Sequence, residues 1–155
     1  GETGVVEVRG PHLFAGYWRL PDKTAQEFRD DGFFITGDVG SLDHEGRLTL
    51  QGRAGDMIIC GGENIYPKEI ERCLDDIPGV RESAVIGADD ADLGEVPVAF
   101  LVADSGYDAA RVEAHVCDQL AKFKRPRRYE LIDALPRNTM GKVQKNELRG
   151  WGSRG

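Results

Sequence analysis

At 155 residues, 40% hydrophobic and 30% charged, the chain has the composition of a soluble globular protein, enough for one domain or a small domain plus part of another. Its net charge of −7 is uneven: residues 122–155 carry 10 Lys/Arg against 3 Asp/Glu, whereas residues 1–121 carry 10 against 24. Apolar runs fall short of the roughly 18 residues a membrane span needs, no signal peptide opens the chain, and three scattered cysteines (Cys60, Cys73, Cys117) support neither a disulfide framework nor a zinc site.

A reducing cytoplasm is the expected compartment, with Cys73 and Cys117 as buried free thiols inside helices. Residues 4–9 read as a strand and residues 10–18 as an aromatic-rich loop. Thr24-Ala25-Gln26-Glu27 has the form of a capping box and predicts a short helix ending near Asp30. Asp31-Gly32 marks a turn, Phe33-Phe34-Ile35 a strand running into Thr36-Gly37-Asp38, and Leu42–Leu50 a hairpin around Glu45-Gly46. The stretch Gly52–Asp56 reads as a boundary.

Beyond it, Met57–Cys60 is a short buried strand and Gly61-Gly62-Glu63-Asn64 a tight turn. Pro67 suits a first helical position, and Ile70, Cys73, Leu74 and Ile77 form one apolar helix face. Two strands follow, Glu82–Gly87 and the continuous apolar run Val96–Val102, the latter expected to be covered on both faces. Asp108 caps a helix with Val112, Val116, Leu120 and Phe123 on its apolar face. Arg128–Ile132 is the last strand, followed by an extended, Pro-started loop (Leu135–Lys145) and a short helix from about Lys145 to Arg149. The predicted fold class is α+β. Residues 1–52 are the all-β edge of one domain, and residues 53–150 are a small unit with a short hairpin, a mixed sheet of about three strands and flanking helices. Residues 151–155 are a tail. The opening Gly1-Glu2-Thr3-Gly4, without an initiator Met, suggests a piece of something longer.

Most catalytic signatures fail on context. Gly150–Gly155 matches G-x-G-x-x-G, but no helix follows it; Gly141-Lys142 is not a phosphate loop, since Pro136 stands where its first glycine belongs. The three histidines are scattered. What survives suits a nucleotide. Asp38, expected at a strand end after a glycine, can accept two hydrogen bonds from ribose hydroxyls, or can cap a turn. The Arg53 guanidinium can fork onto phosphate or ribose oxygens, or form a salt bridge between domains. Lys142, behind the side-chain-free Gly141, can meet a phosphate or a carboxylate, or can be solvated. The basic cluster Lys122–Arg128 fits a phosphate-bearing ligand or a solvated face; it matches no nucleic-acid-binding motif.

Several segments occur together and in order: Gly1–Gly4, Gly16-Tyr17-Trp18, Pro21–Thr24, Phe34–Asp38, Gly52-Arg53, Asp56-Met57-Ile58, Gly61–Pro67, Glu69-Ile70-Glu71 and Pro136–Val143. In them the chain resembles the C-terminal third of adenylate-forming acyl-CoA synthetases, and most of all malonyl-CoA synthetases in Leu135–Arg149 and Gly16–Gly40. That resemblance implies a two-step ligase: a carboxylate attacks the ATP α-phosphate to give acyl-AMP and pyrophosphate, then CoA displaces AMP to form the thioester. It further implies that Asp38 holds the ribose hydroxyls, that Arg53 contacts the nucleotide, and that Lys142 bridges carboxylate and α-phosphate during adenylation. The small domain would then rotate about a hinge at Gly55 and Asp56. This would withdraw Lys142 and bring Gly61, Gly62 and Glu63 to the pantetheine tunnel, with Lys124 and Arg125 facing the CoA phosphates.

At the hinge the sequence departs from the family pattern, with Gly55 standing where an Asp or Lys is usual. The phosphate loop, the glutamate that holds Mg2+ and the acyl pocket belong upstream, so these residues include no metal ligand and are not expected to catalyse adenylation alone. A lysine acetyltransferase acting on Lys142 is an implied partner; nucleic acid and a membrane span are not. The alternatives are an adenylation domain that loads a carrier protein, a medium- or long-chain fatty acid–CoA ligase, and a non-enzymatic interaction module.

Overall fold

Residues 1–152 are described by a computed structural model, in which the chain divides into two units, Gly1–Gly55 and Asp56–Gly155. Ser153-Arg154-Gly155, part of the expected tail and of the glycine motif, lie outside the described residues.

The first unit holds strand β1 (Thr3–Val8), helix α1 (Pro21–Glu27) and strands β2 (Phe34–Leu42) and β3 (Leu48–Arg53), paired as an antiparallel meander β1-β2-β3. The hairpin between β2 and β3 turns where the sequence places it. The Asp43 carboxylate accepts the N–H groups of Glu45 and Arg47, each at 2.9 Å, while Gly46 takes φ 79°. The helix differs from expectation. It starts at Pro21 and stops at Glu27, because proline's fixed φ and missing N–H suit the first helical position. Thr24 therefore lies inside it and caps nothing: its Oγ1 donates to the Leu20 carbonyl and accepts the Tyr17 N–H, both at 2.9 Å. The aromatic loop packs against the meander through Phe14, whose ring meets Tyr17, Phe28 and Phe34 edge-on at 5.0–5.4 Å.

The second unit runs β4 (Ile58–Cys60), β5 (Glu63–Ile65), α2 (Pro67–Asp75), β6 (Val80–Asp90), β7 (Gly94–Ala103), α3 (Ala109–Gln119), β8 (Arg128–Leu131) and α4 (Lys145–Gly152). The mixed sheet has five strands, in place of the expected three or so, because the β4–β5 hairpin joins it. Strand β7 pairs with β6 along one edge; along the other it meets β4 at Cys60–Gly94 and β8, in parallel, over Val98–Leu101. The mixed α+β class follows.

Strand β7 is buried from Val96 to Val102, as its unbroken apolar run predicts. Ala99 and Leu101 face a core completed by Ile70 and Leu74 of α2 and by Val112 and Val116 of α3. Val98, Phe100 and Val102 face the opposite core, with Leu135 and Leu148. Asp108 caps α3, its carboxylate accepting the N–H groups of Ala110 (3.0 Å) and Arg111 (3.4 Å). That helix ends at Gln119, so Phe123 falls in a separate 3-10 turn and is partly exposed. Of the two cysteines expected to be buried, Cys117 is exposed and Cys73 is only half-buried; Cys60 is the buried thiol. Cys117 follows Val116 directly and so turns off the apolar stripe by a third of a helical turn. Helix α4 continues through Trp151 and Gly152, past the end near Arg149 that the sequence predicts.

Leu148 is the single fully buried side chain among the described residues of α4, and it seats that helix on the Phe100 face of the sheet. Leu148→Ala should cost about 2–5 kcal/mol of unfolding free energy. The check is urea denaturation, where the midpoint should fall with little change in slope.

Candidate functional site

The segment after β8 forms a closed loop, not the extended one its proline suggests. Leu135 is buried at its entrance and α4 begins at its exit. Between them Arg137 and Val143 form an isolated antiparallel bridge, and the Gln144 N–H donates to the Pro136 carbonyl at 2.8 Å. Asn138 organises the tip. Its side-chain oxygen accepts the N–H groups of Met140 (3.0 Å) and Lys142 (2.9 Å), and its own N–H donates to the Lys142 carbonyl at 2.9 Å.

Gly141 takes φ 78°, a left-handed conformation that costs other residues about 1–2 kcal/mol, and a Cβ built there meets nothing within 4 Å. The glycine is therefore needed for backbone geometry, and not to relieve a clash with neighbouring protein atoms. Arg137 completes the clamp, its guanidinium donating to the Gly141 carbonyl at 2.6 Å and to the Glu82 carboxylate on β6. The result is an exposed lysine, Lys142, whose backbone is held from both sides while its ammonium is left to solvent.

In the first unit Asp38 and Arg53 stand opposite each other on paired strands, and Arg53 Nε reaches Asp38 Oδ1 at 3.0 Å. Asp38 lies within β2, not at a strand end: the strand continues through the left-handed Gly37 to Leu42, with Arg53 closing β3 beside it. A second Arg53 nitrogen donates to the Thr36 carbonyl at 2.9 Å, and the Asp38 N–H donates to Thr36 Oγ1 at 3.0 Å. This carboxylate is oriented by Arg53, which is itself tied to the Thr36 carbonyl. Nearby, the Tyr17 hydroxyl donates to Glu27, which raises the phenol's pKa; Arg53 pulls it the other way.

Gly61 and Gly62 form the two-residue turn between β4 and β5, both at positive φ (58° and 86°), the geometry that a tight hairpin requires. Both are exposed, as is Glu63. Gly55 falls in a 3-10 turn, Ala54–Asp56, and Asp56 accepts a hydrogen bond from Arg149 of α4 at 3.3 Å. In the basic cluster, Lys124 Nζ lies 2.8 Å from both Glu69 carboxylate oxygens, and Arg125 donates to the Leu120 and Cys117 carbonyls at the end of α3. These two cations thus have internal partners, which their positions in the sequence do not reveal.

Among the described residues no group of three or more His, Cys, Asp or Glu is arranged to hold a metal ion. Nor is any helix long and apolar enough to cross a membrane. The sequence marks Asn138 and Gly141 as turn residues, but not the other groups that hold the lysine loop: Arg137, Glu82, Lys145 and Glu71. An Asn three residues before a glycine signals a turn, but the others carry no local mark. Asn138→Ala removes the acceptor for two N–H groups and should cost about 1–2 kcal/mol. By hydrogen exchange, the amides of Met140 and Lys142 should open sooner, with those of β7 unchanged.

Residues 69–142 match the AMP-binding enzyme C-terminal domain. A (methyl-dioxo-octahydroindenyl)propanoyl:CoA ligase of Mycobacterium tuberculosis is 45% identical over 153 residues, covering 97% of this chain and 30% of the relative. The fatty acid–acyl-carrier-protein ligase ScoC of Streptomyces coeruleorubidus is 44% identical over 156 residues, covering 98% of this chain and 30% of the relative. Among solved structures, ATP-bound MatB from Rhodopseudomonas palustris superposes with a TM-score of 0.89 at 54% identity, covering 99% of this chain and 31% of that one. The chain thus spans about 30% of the length of the curated relatives it matches. With its mixed sheet and lysine loop, the chain belongs to the adenylate-forming enzyme superfamily and carries that superfamily's C-terminal domain.

Proposed function

We propose that the protein to which this chain belongs is an AMP-forming acid–CoA ligase, which activates a carboxylic acid with ATP and passes the acyl group to CoA. The observation that carries this reading is the presentation of Lys142: an exposed ammonium on a backbone fixed by Asn138 and Arg137. Two anions, a carboxylate and a triphosphate, must approach each other in the first step. A lysine at the junction offsets their repulsion and stabilises the charge that builds on the α-phosphate oxygens, an effect worth about 3–4 kcal/mol in the transition state. A floppy lysine would lose much of this to reorganisation, so the closed loop matters as much as the charge.

In the same reading Asp38 accepts the ribose hydroxyls and Arg53, its ion-pair partner, contacts the nucleotide. The Gly61-Gly62 turn, with Glu63, borders the passage for the CoA thiol arm, its two glycines offering no side chain to obstruct it. Lys124 and Arg125 would supply positive charge toward the CoA phosphates, and of the two Arg125 is the more committed to α3. Gly55 and Asp56 serve as the hinge. The exposure of Lys142 also leaves it open to a lysine acetyltransferase, and acetylation would cancel the charge on which the first step depends.

Malonate or another short acid is the proposed substrate, on the strength of the resemblance in Leu135–Arg149 and Gly16–Gly40. A second reading, transfer to a carrier protein instead of CoA, is supported by the likeness to ScoC.

In the full-length protein, Lys142→Ala should slow acid-dependent ATP–pyrophosphate exchange about 100- to 1,000-fold, the loss typical of removing one such electrostatic contact. Thioester formation from pre-formed acyl-AMP and CoA should change little. Equal loss in both steps would remove Lys142 from its proposed role. A screen of acids in the same assay separates the substrate assignments: malonate should be among the best, and preference for a long aliphatic acid would keep the ligase and discard malonate.

A further inference from the structure

Glu71 is the one charged side chain that is buried among the described residues, with 6% of the residue exposed. It sits on α2 beside the apolar face of Ile70 and Leu74. One carboxylate oxygen accepts the Val85 N–H at 3.0 Å and Lys145 Nζ at 2.6 Å, and the other lies 3.6 Å from Lys68 Nζ. Lys145 is itself only 18% exposed in its side chain and is the first residue of α4.

Both placements run against local preference. Burying a carboxylate carries a large desolvation cost, and a lysine in the first turn of a helix faces the positive end of the helix dipole. Such a pair is no better for stability than well-packed apolar residues. Its location suggests another use. Lys145 follows Lys142 by three residues, at the point where the loop passes into α4. The other base of the loop, Arg137, is tied to Glu82 of β6, and Ser83, next in the strand, donates to the Glu71 carbonyl and to Asp75. A cavity of about 300 Å³ opens beneath the loop, walled by Lys68, Glu71, Glu82, Ser83, Arg137 and Lys145.

We infer that Glu71 and Lys145 are positioning residues for Lys142: their buried ion pair locks the loop's exit against α2 and β6 and so sets where the Lys142 ammonium points. This rests on the proposed role of Lys142. All the anchoring groups lie in the unit Asp56–Gly155, and because the pair acts through Lys142 it matters only in the half-reaction that uses that lysine. Adenylation needs the aim of the loop; thioester formation does not.

The test uses the full-length protein with Glu71→Gln, Lys145→Met and Lys145→Arg. Glu71→Gln keeps an acceptor for the Val85 N–H, so the sheet is retained while the charge is lost. Glu71→Gln and Lys145→Met should each lower kcat for acyl-AMP formation about 10- to 100-fold, the scale of an ångström-level misplacement, with KM for ATP within about twofold. The rate from synthetic acyl-AMP and CoA should stay within about twofold of wild type, and Lys145→Arg should recover most of the first step. Hydrogen exchange supplies a readout independent of turnover: the Gln144 amide, bonded to the Pro136 carbonyl, should exchange faster in Glu71→Gln. A parallel fall in both half-reactions, or unchanged adenylation in variants whose Lys142→Ala counterpart is inactive in that step, overturns the proposal. If Lys142→Ala itself adenylates normally, the role of Lys142 fails first and this inference goes with it.

Discussion

Strand β7 has to be covered on both faces, and the second unit is arranged by that requirement. Seven consecutive residues from Val96 to Val102 are buried, so each face needs its own layer. Helices α2 and α3 supply one. The other is thin, and it is assembled from Leu135 and Leu148, with Ile132 and Val143 at its margin. Those four residues bracket the lysine loop. The segment carrying Lys142 is therefore fastened down by the same apolar contacts that shield Phe100 and Val98 from water, and the position of that lysine is a by-product of closing the core.

Hydrogen bonding then refines what packing sets coarsely. Apolar contacts fix where the loop starts and ends but not how its tip is turned. Asn138, Arg137 and Gly141 determine the tip, and the Glu71–Lys145 pair determines the exit. In the first unit the logic is simpler: the β2–β3 register sets Asp38 against Arg53, and the ion pair follows from the pairing.

Much of this could be read from the residues before any coordinates. The unbroken run in β7, the Asp108 cap, the glycine turn at Gly61-Gly62 and the apolar stripes of α2 and α3 each carry their signal within a few positions. The misses share a cause, a determinant lying outside the window. Thr24 looked like a cap because the T-x-x-E pattern is local, whereas Pro21 had already begun the helix. Strand β5 was hidden because Glu63 and Asn64 are polar, and only pairing with β4 makes them a strand. Asp38 follows a glycine that locally marks a strand end, yet the strand passes through it. The burial of Glu71 has no local mark, since Lys145, its nearest charged partner, stands 74 residues away.

The enclosure of the loop within one unit bears on turnover. Every group that shapes the Lys142 backbone, from Glu82 and Arg137 to Asn138, Glu71 and Lys145, belongs to the unit Asp56–Gly155. Fixing the backbone of a residue costs about 1–2 kcal/mol of entropy, and here that cost is met once, as the unit folds. If Lys142 must be delivered to a site and then withdrawn, it travels as part of a rigid body with its geometry intact. The rate of such a cycle is then governed by how fast a whole domain diffuses about its linker, with no disorder-to-order step in the loop to wait for.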